Sequence, residues 1–485
     1  MTRGDVGVAR HERSRDTSIV LGRTRQVHFV GIGGIGMSGI AELLVNLGYR
    51  VSGSDAKSSD LTRRLAGFGV RVHEGHASGN VGQADVVVVS SAVRADNPEV
   101  VEARQRHIPV IPRAEMLAEL MRLKYGVAVA GAHGKTTTTS MVAFMLEQAG
   151  LDPTAVIGGR LSAFGSNARL GQGEYMVAEA DESDGSFLKL SPVLSIITNV
   201  DHEHLDYYGT FDRALAAFAD FANRVPFYGA VVVCIDDRHL AGLVSQMTRR
   251  VITYGLDRPD AMLAARDIVI GDGRTSCQLL RQNQHDQTPV ALGELRLTVP
   301  GRHNLSNALA AVAIGLELDL PFPTIARALE AFGGAERRLQ VLGMAGDVLV
   351  VDDYGHHPTE IAAVLRAVRE AYPRRIVVVF QPHRFSRTAN LLDGFAETLS
   401  YADRVLLVPI YAASEDPIEG VTSEVLAERI GAHGRATVRT IGSVDAAAAA
   451  AADEARDGDL ILTLGAGSIG SVGPRILEHL RQGAH

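Results

Sequence analysis

Lysine is nearly missing from this chain of 485 residues: Lys57, Lys124, Lys135 and Lys189 stand alone, and the other 44 of the 48 basic residues are arginine. Arginine therefore carries positive charge by default, and Lys135 stands out. Cysteine is as sparse, with only Cys234 and Cys277, whose spacing suits neither a metal site nor a redox pair. Cys234 falls in the apolar, strand-like run Ala230–Ile235, so a buried and inert thiol is expected. No stretch approaches the roughly 20 apolar residues of a membrane span. The amino-terminal residues are charged rather than apolar, so neither membrane insertion nor a secretory signal is expected. Basic runs are missing too, and a net charge of −8 leaves no electrostatic footprint for nucleic acid. These exclusions leave the expectation of a cytoplasmic protein. With 46% hydrophobic and 21% charged residues the chain has the composition of a soluble globular protein, and its length suits two to four domains.

The most informative stretch is Val127–Thr139, where an apolar run ends in Gly131-Ala132-His133-Gly134-Lys135-Thr136-Thr137 and a helical pattern follows. A strand aims the turn, glycines let backbone N–H groups close on phosphate oxygens, and the helix N-terminus adds partial positive charge. Lys135 would reach the β- and γ-phosphates, and the Thr136 hydroxyl would sit on Mg²⁺. The spacing is shorter than the common G-x-x-x-x-G-K-[ST] pattern, because Val129 stands where the first glycine is expected.

Upstream, residues 1–24 read as a polar, disordered arm. A strand over Gln26–Val30 then meets Gly31-Ile32-Gly33-Gly34-Ile35-Gly36-Met37, a helix runs to Leu47, and a second strand closes at Asp55. This strand–turn–helix–strand unit carries G-x-G-x-x-G and an acid 22 residues after Gly33. Its literal reading is a nicotinamide dehydrogenase, yet any nucleotide diphosphate satisfies the same physics. Further strand–helix units follow, and a boundary is expected near Lys124–Gly126. Downstream, strands over Glu174–Glu179 and Leu194–Asn199 deliver Glu179, Asp181, Glu182 and then Asp201, His202, Glu203 and His204. Acids and imidazoles at strand ends beside a phosphate loop are where a parallel sheet places its chemistry. One carboxylate with the Thr136 hydroxyl and phosphate oxygens would suffice for one Mg²⁺; Glu179 and Glu182 both qualify. Residues 225–300 read as shorter strands and polar turns, with exposed loops at Gly271–Gly273 and Gln282–Gln287. Asn304 and Asn307 lie three apart at a helix start, able to cap it or to face one ligand. The chain then restarts as α/β from Arg337-Arg338, and Gly465–Gly470 is a second G-x-G-x-x-G that only opens a helix.

Together, GIGGIGMSGIAELL (31–44), GAHGKTTTTSM (131–141), EADESD (179–184), PGRHNLSNA (300–308), DDYGHHPTE (352–360) and FQPHRFSRT (380–388) resemble the Mur ligases, in order and over nearly everything from Arg25 onward. The resemblance implies an α/β fold of three domains: a Rossmann-like UDP-sugar domain over 25–124, a central P-loop ATPase-type domain over 125–335, and a Rossmann-like amino-acid domain over 336–485. It implies that Gly31, Gly33, Gly34, Gly36 and Met37 cradle the diphosphate of UDP-N-acetylmuramate rather than NAD, with Asp55 and His76 nearby. ATP and Mg²⁺ would be held at Gly131, His133, Gly134, Lys135, Thr136, Thr137, Glu179 and His204, and adenine by Asn304 and Asn307. Arg338 and Asp353 would complete the ATP site, while Tyr354, His356, Arg384 and Arg387 would position L-alanine and the amide product. Lys135, Glu179, His204 and Arg338 would carry catalysis. Two departures are visible: Glu203 replaces the family's usual Asp, and Leu339 replaces the Phe that follows the arginine pair.

The implied reaction is activation of the muramate carboxyl by ATP, giving an acyl phosphate that the amine of alanine attacks, in the first peptide step of peptidoglycan precursor synthesis. Phosphoryl transfer is mainly positioning and electrostatic stabilisation, for which a lysine, Mg²⁺ and an arginine are the expected inventory. Some relatives place a carbamylated lysine near the metals; no lysine lies beyond Lys189 here, so that device is not expected in the later part of the central domain. Three rivals are a family member that attaches recycled peptide to the same sugar, a dehydrogenase built on Gly31–Asp55, and a non-catalytic ATP-gated module. The second leaves Gly131–Thr139 unexplained, and the third leaves the acids, imidazole and arginine unexplained.

Overall fold

A computed structural model describes residues 21–90, 92–161, 166–282, 288–413 and 415–483. The first twenty residues of the expected arm, and 283–287 of the expected loop, lie outside these. The chain divides into two units, Met1–Leu123 and Lys124–His485.

In the first unit β1 (Gln26–Val30), β2 (Arg50–Asp55), β3 (Arg71–Glu74), β4 (Val86–Val89) and β5 (Val110–Pro112) form a sheet in the order β3-β2-β1-β4-β5. All its pairings are parallel. The chain winds outward from β1 to β3, then returns to β4 on the other side. That reversal opens a crevice at the carboxyl ends of β1 and β4, the usual ligand position in an open α/β sheet. The glycine-rich turn follows β1 there and leads into the helix Ile35–Asn46. Gly48, at φ +88°, ends that helix; its N–H and that of Tyr49 bond the Val45 and Leu44 carbonyls.

The second unit contains two sheets. In the larger one β6 (Tyr125–Ala130), β7 (Thr154–Leu161), β9 (Tyr175–Glu179), β10 (Leu194–Ile197), β11 (Ala230–Cys234) and β12 (Val251–Gly255) run parallel in the order β12-β11-β10-β6-β9-β7. β8 (Ser166–Arg169) is an antiparallel edge beside β7. Beyond β12 lie β13 (Leu263–Gly271), β14 (Arg274–Gln282) and β15 (Pro289–Leu297), each nine residues long and joined antiparallel. The short strands expected over 225–300 are therefore too short. β14 alternates buried and exposed side chains, the pattern of a sheet wetted on one face, so it presents no apolar run. The two units divide beside the expected boundary at Lys124–Gly126: Tyr125 and Gly126 belong to β6, and the Lys124 ammonium is tied into this unit by the carbonyls of Gly171 and Gly173, at 2.7 and 2.6 Å.

The other sheet joins β16 (Gln340–Ala345), β17 (Val348–Asp353), β18 (Arg375–Phe380), β19 (Arg404–Leu407), β20 (Thr437–Thr440) and β21 (Asp459–Leu464) in the order β16-β17-β21-β18-β19-β20. Only β16 is antiparallel. Helices Pro358–Ala371, Leu392–Leu399 and Ser423–Ala432 bury Ile361, Phe395 and Leu426 on one face. Helices Val444–Glu454 and Val472–Gly483 bury Ala447 and Ile476 on the other. The glycines of Gly465–Gly470 lead into the last of these helices, as expected. Among the described residues no helix is long and apolar enough to cross a membrane.

Candidate active site

β6 lies between β9 and β10, and this neighbourhood builds the phosphate loop. At its carboxyl end Gly131 has φ +132°, and a Cβ there would lie 2.0 Å from Thr198 Oγ1. Gly134, at φ +82°, caps the helix Lys135–Gln148. A Cβ on Gly134 would lie 2.5 Å from Asn307 Oδ1, so only glycine allows both the turn and the close approach. The end of β10 pins the loop from below. Asn199 accepts from the His133 N–H at 2.8 Å and donates to its carbonyl at 2.9 Å, while Thr198 Oγ1 donates to the same carbonyl at 2.6 Å.

The end of β9 supplies the acids. Thr136 Oγ1 donates to Glu179 at 3.0 and 3.2 Å, and Glu179 also accepts from the Gly158 N–H at 2.7 Å. Lys135 Nζ donates to the carbonyls of Gly131 and Ala132, at 2.6 and 3.0 Å, and to Glu182 Oε1 at 2.8 Å. Glu182 is 3% exposed; burial pushes its carboxyl up to about 7 against the pull of Lys135. Its Oε1 lies 3.7 Å from His204 Nε2. The metal-ligand candidates thus fall into two groups. Thr136 joins Glu179, while His204 joins Glu182 and Glu203. Hydroxyl and carboxylate oxygens beside a phosphate loop are hard donors that fit Mg²⁺. Thr137 is buried in the first turn of the helix.

The helix Pro358–Ala371 brings further groups against the loop. His133 Nε2 bonds Asp201 Oδ2 at 2.9 Å, and its Nδ1 lies 3.6 Å from Glu360 Oε1. Glu360 is approached also by Arg338 Nη1 at 3.6 Å and His356 Nδ1 at 3.3 Å, and accepts from the His356 N–H at 3.0 Å. Despite burial, His133 close by and the positive charge around it hold the Glu360 carboxyl well below the usual carboxylate range. Thr359 Oγ1 donates to Asp201 Oδ2 at 2.7 Å. Tyr354 lies beneath the guanidinium of Arg338, 5.1 Å from its ring centre. Burial lowers the His356 imidazole to about 4, and its ring meets that of His383, whose partner is Tyr411, stacked at 5.4 Å. Arg387 Nη1 is 3.5 Å from His383 Nδ1. Arg384 adopts φ +69° just before the helix Phe385–Asn390, and its backbone N–H bonds the Tyr411 carbonyl.

Several of the expected site residues are also bonded within the chain. Asp353 accepts from the backbone N–H groups of Leu339 and Gly355, both at 2.7 Å. Burial lifts its carboxyl to about 6, and the ion pair of Arg338 is with Glu360 instead. Asn304 Nδ2 donates to the Pro300 carbonyl at 2.8 Å, at the start of its own helix, and Asn307 packs on Gly134 of the phosphate loop.

In the first unit, Gly31 and Ile32 donate to the Ser54 carbonyl and Gly33 N–H to Asp55 Oδ2, at 2.8 Å. Asp55, expected near the diphosphate, accepts here from the backbone of the glycine turn. A Cβ on Gly36 would strike the Arg113 guanidinium, and Met37 is 2% exposed in the core. His76 Nδ1 lies 3.0 Å from Ser54 Oγ and 3.3 Å from Glu99 Oε2. Glu99 is fully buried and accepts also from Ser54 Oγ at 2.5 Å and Asn80 Nδ2 at 2.6 Å. Burial alone would raise Glu99, but these bonds and His28 hold it at about 2.

Glu360, His383 and Glu99 were not singled out by sequence reasoning, and Asp201 was read only as one of the acids at the end of a strand. Glu360 stands four residues after His356 in a quoted motif, a spacing that puts the two together at a helix start. Nothing in the sequence ties Glu99 to Ser54, 45 positions away.

Three family models match in succession: the catalytic domain of the Mur ligase family over residues 26–125, the Mur ligase middle domain over 129–315, and the Mur ligase glutamate ligase domain over 337–467. A UDP-N-acetylmuramate–L-alanine ligase of Syntrophotalea carbinolica is 53% identical over 461 residues, covering 95% of this chain and 99% of the relative. The enzyme of that name from Solibacter usitatus is 55% identical, with 95% and 96% covered. Among solved structures, the UDP-N-acetylmuramate–alanine ligase of Thermotoga maritima superposes with a TM-score of 0.79 at 29% identity, covering 94% of this chain and 99% of that one. A murein peptide ligase of Psychrobacter arcticus reaches 0.68 at 25% identity, with the same coverage. Fold, motifs and relatives agree, and the chain belongs to the Mur ligase family.

Proposed function

We propose that the protein is an ATP-dependent ligase that joins L-alanine to the carboxyl of UDP-N-acetylmuramate, in the first peptide step of peptidoglycan precursor synthesis. The observation that carries this reading is relatives of that activity at 53–55% identity over nearly the whole chain, joined to a phosphate loop flanked by Glu179, Glu182 and Arg338. The muramate carboxylate attacks the γ-phosphorus of ATP; the bond to the β–γ bridging oxygen breaks, giving ADP and an acyl phosphate. The amine of alanine attacks the acyl carbon, loses a proton and expels inorganic phosphate. Lys135 holds γ-phosphate charge, and Arg338 adds a second cation. Bound Mg²⁺, held at Thr136 and Glu179 with His204 near a second position, would neutralise phosphate charge. Arg384 and Arg387 suit the alanine carboxylate, since a guanidinium pairs well with it. His76, with Gly31, Gly33, Gly34 and Gly36, holds the UDP-sugar. We take the domains to divide at 25–124, 125–335 and 336–485, and the protein to work in the cytoplasm, where ATP and nucleotide-activated sugars are held.

Phosphate release measured with ATP, UDP-N-acetylmuramate and a panel of amino acids tests this reading. L-alanine should support turnover best, and Lys135→Ala should lower it about a hundredfold or more while UDP-sugar binding persists. A tripeptide that outcompetes L-alanine would move the assignment to peptide recycling. Unchanged turnover in Lys135→Ala would refute the phosphate-loop role.

A further inference from the structure

His133, Glu203 and His357 each offer one ligand atom, and the three atoms lie within 4.8 Å of one another. They come from three separate segments: the phosphate loop, the segment after β10, and the start of the helix Pro358–Ala371. Two buried ring nitrogens here have no hydrogen-bond partner, His133 Nδ1 and His357 Nε2. The His357 side chain is 7% exposed, and its Nε2 points toward Glu203 Oε1 at 3.9 Å. Leaving such atoms unmatched is costly, and their convergence on a carboxylate calls for a ligand.

The surroundings resemble the outer shell of a metal centre. A ligating imidazole usually directs its other nitrogen to a carboxylate or similar partner, which fixes the ring. His133 does this through Nε2, 2.9 Å from Asp201 Oδ2. His357 Nδ1 lies 3.7 Å from the same Asp201 oxygen; ligation through Nε2 would leave the ring proton on Nδ1, so the bond it accepts from the Thr359 N–H at 3.4 Å would give way to one donated to Asp201. Asp201 is itself held by Thr359 Oγ1. Glu360 is the competing group, 3.6 Å from His133 Nδ1, but it is shared with Arg338 and His356.

We propose that His133, Glu203 and His357 form a binding site for a divalent transition-metal cation of the Zn²⁺ class, distinct from the oxygen-rich Mg²⁺ position at Thr136 and Glu179. Two imidazoles and one carboxylate are a ligand set for Zn²⁺, with a water completing four-coordination, and imidazole disfavours Mg²⁺ by comparison. A cation held there ties the phosphate loop to the helix Pro358–Ala371. It would therefore slow turnover, a consequence that rests on the ligase reading, whereas binding does not.

The test is calorimetric titration of Zn²⁺ into the chelator-treated full chain in excess Mg²⁺, with Zn-edge anomalous diffraction to locate the ion. His357→Asn removes the ligand yet keeps a side chain that caps the helix, and Glu203→Gln is a second variant of nearly unchanged shape. One Zn²⁺ per chain should bind, each variant should weaken it about tenfold or more, and His204→Ala should retain it. Zn²⁺ should raise the melting temperature of the wild type and not of His357→Asn, and should inhibit phosphate release less in that variant. Loss of Zn²⁺ in His204→Ala but not in His357→Asn would overturn the proposal, as would anomalous density at Glu182 and His204 alone, or no binding in Mg²⁺. Binding at His357 without inhibition would uphold the site and remove its regulatory role.

Discussion

His133 sits between two carboxylates, Asp201 and Glu360, on the loop that also carries Lys135. In the metal-free chain burial would lower its imidazole, but the bond to Asp201 and the negative charge of nearby Glu360 and Glu203 prevail and hold it at about 10. An unfolded histidine titrates near 6.5, so the folded state binds the proton more tightly. The stabilisation is therefore complete below about pH 6.5 and fades as the pH rises toward 10. His133→Gln should accordingly melt several degrees below wild type near pH 6, and the gap should close toward pH 10. Scanning calorimetry across that range checks it, and a gap that widens with pH would show the sign to be wrong. At this scale the sequence was informative about residue types at the loop, since lysine and threonine after two glycines have few other uses. It was silent about partners, because Asp201 and Glu360 lie far along the chain from His133.

At the scale of elements, the phosphate loop is a strand, a turn and a helix whose glycines are dictated by backbone shape. Gly134 needs φ +82° and lies where a Cβ would meet Asn307 Oδ1 at 2.5 Å. Gly134→Ala should cost about 1–2 kcal/mol of backbone strain and displace Asn307. The expected outcome is a modest fall in melting temperature with a much larger rise in the KM for ATP; an unchanged KM would mean that the loop tolerates the added methyl. The strand–glycine–helix units were readable because apolar runs and glycines are local signals. The three nine-residue strands β13–β15 were not: β14 alternates buried and exposed side chains, β13 buries only its first three residues and β15 only two near its end. Asn304 and Asn307 show the same limit: amide spacing was legible, but which group each amide faces depends on how the helix Arg302–Glu317 packs beside the loop.

At the scale of the molecule, Glu360 is the point where the second unit's two sheets meet around one carboxylate: the Arg338 guanidinium and the neutral His356 from one side and His133 from the other. Removing a buried carboxylate and leaving its cations unpaired typically costs roughly 3–5 kcal/mol. Glu360→Ala should lower the urea midpoint accordingly and reduce turnover, whereas Glu360→Gln should recover part of the stability through its remaining acceptor oxygen. Equal stability of Glu360→Ala and wild type would contradict this role. The sequence by itself determined the α/β class, the glycine turns, the phosphate loop and the family, because these rest on short-range geometry and on motifs that survive in order. Only the tertiary structure decided that Glu179 meets Thr136 while Glu182 meets Lys135, that Asp55 and Asp353 clamp backbone, and that Glu99 and Glu360 anchor their histidines. Strand order in a parallel sheet is not sequence order, so groups far apart in the chain become neighbours only when β9 and β10 close on either side of β6.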